Sequence, residues 1–60
     1  MSEVVFVFDL EQKVKNIDSG SEGVVATCAF DSHGQIFYIE FPEKNVSNHW
    51  FRPEVLRVVD

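Results

Sequence analysis

Four side chains able to do chemistry stand side by side near the C-terminal end: His49, Trp50, Phe51 and Arg52, within the stretch SNHWFRPEVLRVVD at residues 47–60. An imidazole titrates near neutrality, two aromatic rings supply contact area, and a guanidinium pairs with carboxylates through two parallel donors. Proton transfer by His49 needs an oriented partner, and the chain reveals none. The remaining reading is a contact surface, for which Tyr38, His49, Trp50, Phe51 and Arg52 are the candidate binding residues. Neighbours in a strand point to opposite faces, so Trp50 and Phe51 cannot both be core. Either Phe51 is core and Trp50 packs across the strands on Ile36 or Tyr38, or Trp50, Tyr38 and Arg52 form an exposed aromatic and cationic patch.

The other reactive groups are scattered. Cys28 lies among Val24, Ala26 and Phe30, apolar surroundings that favour a buried, inert thiol. Cys28, His33 and His49 match no paired-ligand spacing, and a closed zinc site needs four ligands, so no metal is expected. Asp18, Glu22 and Asp31 are turn carboxylates, and nothing in the pattern places two of them together for acid–base work. Lys13 and Lys15 share one strand face, where solvation or edge protection is the ordinary role. No catalytic residue and no cofactor follow from this pattern.

The whole chain narrows the field further. Sixty residues form one domain, 1–60, and a chain this short buries only about 60% of the surface its unfolded form exposes. Hydrophobic residues make up 45% and six are Phe, which is too apolar for a disordered tail. Ten acidic residues against five basic ones give a net charge of -5, opposite to what phosphate neutralisation requires. Nucleic acid is thereby disfavoured as a partner. One cysteine, no leader pattern and no long apolar run fit a cytoplasmic protein without a membrane span.

Short runs rich in Val, Ile, Phe and Thr, separated by turn formers, predict an all-β fold of five to six mostly antiparallel strands. Val4, Val5, Phe6, Val7 and Phe8 are apolar on both faces and are expected to add an N-terminal strand at 4–8 that doubles as an oligomer interface. A strand at 13–17 leads to the loop DSGSEG. Strict alternation over 24–31 would place Val24, Ala26, Cys28 and Phe30 on the core face. DSHG turns the chain into a strand at 35–41 ending at Pro42. A strand near 47–51, a single 3₁₀ turn from Pro53 and a short closing strand complete the order. The expected core is Val14, Val24, Ala26, Cys28, Phe37, Ile39, Leu56 and Val58, and a closed barrel removes unpaired edges most economically.

This order resembles an SH3-like small barrel: a strand bearing KVK, a glycine loop, two strands joined by a tight turn, an aromatic strand, a helical turn after proline and a closing strand. Over roughly residues 8–59 it is also similar to the subunits of type II, plasmid-borne dihydrofolate reductases. Phe8, Leu10, Lys13, Val14 and Lys15 fall where that family has F-x-M-x-x-R-V-R, Gly23 matches the glycine opening the next strand, and Leu56 matches a leucine after its pore segment. That segment, S-V-Q-I-Y-P, is occupied here by residues 47–52. His49 stands at the family's glutamine, Trp50 at its isoleucine and Phe51 at its tyrosine, while Asn16 replaces the pore lysine that follows V-R. The resemblance therefore implies a fold and assembly from several copies rather than the reaction. The expected function is a non-catalytic, self-associating module for a protein or peptide partner. The alternatives are an oligomeric NADPH-dependent reductase and, third, a nucleic-acid-associated accessory protein.

Overall fold

The computed structural model describes residues 5–59. They form strands β1 (Lys13–Asn16), β2 (Glu22–Asp31), β3 (Gly34–Glu40) and β4 (His49–Phe51), a 3₁₀ turn (Pro53–Val55) and strand β5 (Leu56–Val58). The all-β class, the antiparallel pairing and the lone 3₁₀ turn near the C-terminus agree with the sequence reading. Turn chemistry sets the corners. The Asn16 side-chain oxygen accepts from the amides of Asp18 and Ser19, and its carbonyl accepts from Gly20, which folds the glycine loop tightly back. Asp31 Oδ1 accepts from the His33 amide, and Gly34 takes φ 125°, a region that side chains rarely enter. No helix among the described residues is long and apolar enough to cross a membrane.

The strands order as β4-β3-β2-β1-β5, all antiparallel, and the ladder is open, with β4 and β5 at its two edges. Yet the sheet cannot be flat. Four spacings of about 4.8 Å would separate the edges by roughly 19 Å. From Phe51 to Leu56 the chain has only Arg52 and a 3₁₀ turn, which spans about 13 Å at most. The sheet therefore curls, and the 3₁₀ turn packs against both β3 and β5 across the gap.

One bulge decides what faces inward. Val25 pairs with Ile39 and Thr27 with Tyr38, so Ala26 is an extra residue in β2. Alternation inverts there. Val25 is fully buried and Val24 is exposed, the reverse of the strict alternation expected from sequence, while Cys28 still packs against the core. The core is Phe8, Val14, Val25, Phe37, Ile39 and Leu56. Val58, expected inside, is 40% exposed: it pairs with the buried Val14 but stands at the last position of the edge strand β5. Phe30, at the far end of β2, is exposed on one side and lies against the Phe6 ring on the other, centroids 5.0 Å apart.

Residues 5–8 do not form the additional strand that the sequence suggests, and Val4 lies outside the described residues. Their backbone finds a side chain instead of a ladder. The Gln35 amide accepts from Val7 N–H at 3.0 Å and donates to the Val5 carbonyl at 2.8 Å, much as a neighbouring peptide unit would. Phe6 and Phe8 turn inward onto Phe37, with ring centroids 5.9 and 5.1 Å away in edge-to-face geometry. The segment is thus a plug over the end of the curled sheet.

Candidate functional site

The outer face of the sheet is built by the same register that builds the core. Trp50 stands opposite Tyr38 on β3, which in turn stands opposite Thr27 on β2. One step along, Glu40 pairs with Val24, and Val24 with Lys13. The Ala26 bulge is what keeps both Thr27 and Val24 on this outer side.

Trp50 packs on Tyr38 with ring centroids 5.2 Å apart and remains 40% exposed. Phe51 points the other way, packing against the core and edge-on to Phe41 at 6.0 Å. The choice left open between Trp50 and Phe51 therefore falls to Trp50 as the outer residue. His49 is exposed and lies 5.4 Å from the Phe51 ring, on that residue's side of the strand rather than with Trp50.

Arg52 does not offer a free cation. Its Nη1 donates to Asp31 Oδ1 at 2.7 Å and its Nη2 to Asp31 Oδ2, a two-pronged pair. That pair, helped by the His33 amide, holds the Asp31 carboxyl down at about 2 and pushes the Arg52 guanidinium up. The expected aromatic and cationic patch is in fact aromatic with a neutralised ion pair beside it.

Of the five residues expected at an oligomer interface, Phe6 and Phe8 are taken by the core plug. Val5 and Val7 alternate with them and are 73% and 61% exposed. Cys28 is half-buried, and burial, with Asp9 nearby, raises its thiol pKa, which disfavours the thiolate. Lys15 stands between Glu22 on β2 and Arg57 on β5. Among the described residues no three His, Cys, Asp or Glu side chains are grouped to hold a metal ion.

Sequence reasoning missed a groove of about 530 Å³ where β3 ends beside the start of β2, walled by Val24, Phe41 and Pro42 and lined also by Glu22, Glu40, Glu43 and Lys13. Glu22 and Glu40 are far apart in the chain and line one groove because Glu40 pairs with Val24, two residues from Glu22, so no local motif announces them. Comparison with family models, with curated proteins and with solved structures finds no match to this chain.

Proposed function

We propose that this chain is a small SH3-like protein-interaction module that binds a protein or peptide on the outer face of β3 and β4 and self-associates through Val5 and Val7. The strand order, the long second strand shared by both halves of the sheet and the 3₁₀ turn before the last strand support the SH3-like reading. The observation that carries the binding reading is the Tyr38–Trp50 pair. A tryptophan propped by a neighbouring ring yet 40% exposed presents large, rigid area at low entropy cost, the composition of interaction hot spots.

Trp50→Ala tests the reading. It should weaken capture of a partner by more than about 1 kcal/mol while the far-ultraviolet spectrum stays unchanged. Unfolding with no separable binding defect would reduce the indole to a packing residue. For self-association, sedimentation at concentrations on the order of tens of micromolar should find more than one copy, and Val7→Asp should return a monomer. Clear oxidation of NADPH with dihydrofolate would displace this reading in favour of the reductase.

A further inference from the structure

We propose that the partner segment is basic: a lysine- or arginine-bearing extended peptide lies along the outer face, with its cations in the Glu22, Glu40 and Glu43 groove and its flank on Tyr38 and Trp50. This rests on the reading of the Tyr38–Trp50 face as a binding surface and adds its chemistry.

Three observations converge on that chemistry. First, Tyr38 and Glu40 are alternate residues of β3 and share one face, about 7 Å apart along the strand, which sets the aromatic pair beside the Glu40 side of the groove. A peptide of a few residues reaches both. Second, the groove carboxylates have no ion-pair partner among the described residues, where the one salt bridge is Arg52–Asp31. That bridge also neutralises Arg52, the cation nearest Trp50 in the sequence, which lowers the repulsion an incoming positive charge meets there. Third, the groove is not purely polar. Val24, Phe41 and Pro42 give an apolar wall for the methylene stem of a long cationic side chain whose head reaches the carboxylates. A neighbouring lysine or arginine can also lie over the Trp50 ring, whose face attracts cations. Lys13, on the groove lining, and Lys15, opposite Glu22 in the β1–β2 register, are of the wrong sign.

The test is an amide chemical-shift titration of the full chain with a five-lysine peptide, acetylated and amidated, against a five-serine control. The expected result is shifts concentrated at residues 22–24 and 38–43 and at Trp50, growing weaker with salt, and absent with the serine peptide. Glu40→Gln with Glu43→Gln should weaken binding about fivefold, as two partly exposed ion pairs would. Glu11→Gln with Glu54→Gln removes the same charge elsewhere and should change it by less than about twofold. Lys13→Gln should tighten it. Equal weakening by both double variants would mean general attraction to an acidic protein and would overturn the proposal, as would shifts lying elsewhere or no shifts at millimolar peptide. If Trp50→Ala alone weakens capture of a natural partner while the groove variants do nothing, the aromatic face stands and the basic occupant fails. If the groove variants act and Trp50→Ala does not, the groove stands and the aromatic face fails.

Discussion

Arg52, one residue past β4, grips Asp31, the last residue of β2, through both guanidinium nitrogens and so straps these two strands together across the intervening β3. A carboxyl-detected titration should place Asp31 at about 2, below its ordinary 3.8. Because the folded value is the lower one, the stabilisation is present above pH 3.8 and is lost as pH falls towards 2. Arg52→Gln should move Asp31 upward but leave it somewhat low, since the His33 amide still donates to it. Both side chains are partly exposed, so the effect on stability is small, and an unchanged Asp31 titration in Arg52→Gln would refute the strap.

The bulge at Ala26 makes a sharper claim. Val25→Ala should destabilise the fold by about 1.5–2.5 kcal/mol, the removal of two buried methyl-sized groups plus a cavity. Val24→Ala should stay within about 0.5 kcal/mol. Denaturant unfolding of the two variants decides, and the opposite ranking would restore uninterrupted alternation through β2.

That bulge marks where the sequence stops being legible. Turn formers and β-branched runs announce the five strands observed, within an expected five to six, because Asn16, Asp31 and Pro53 act on their own neighbours through local hydrogen bonds and fixed φ. The parity of a ten-residue strand is a different matter, since one unpaired residue inverts it and Ala26 bears no mark of doing so. The glycine loop teaches the same lesson. Gly23 sits in β2 without positive φ, and its role is close approach: a Cβ there would lie 2.5 Å from the Glu40 carbonyl. The exposed Trp50 was one of two alternatives that alternation allowed. The groove was invisible because its carboxylates belong to three segments.

Gln35 offers a test of the N-terminal plug. Gln35→Glu keeps an acceptor for Val7 N–H and loses the donor to the Val5 carbonyl, whereas Gln35→Ala loses both. Hydrogen exchange should show faster exchange of the Val7 amide in the alanine variant, with stability lower by about 0.5–1 kcal/mol, the net worth of such bonds. Protection of Val7 unchanged by Gln35→Ala would mean that Phe6 and Phe8 alone hold the segment.

Glu11 is the one non-glycine residue with positive φ among the described residues, at 67°. It holds the corner between the plug and β1, where its amide donates to the Val25 carbonyl at 2.7 Å and the Val25 amide returns a bond to the Gln12 carbonyl at 3.0 Å. Those two bonds fix the backbone, so the side chain must bear the left-handed conformation, at a cost of about 1–2 kcal/mol for a residue with a Cβ. Glycine relieves that cost and gives back part of the gain, about 0.5–1 kcal/mol, through the freedom it adds to the unfolded chain. Glu11→Gly should therefore stabilise the protein by up to about 1 kcal/mol, seen as a higher denaturant midpoint with an unchanged slope. Glu11→Ala keeps the Cβ and should show no such gain. A glycine variant less stable than the parent would mean that the corner is not left-handed in solution.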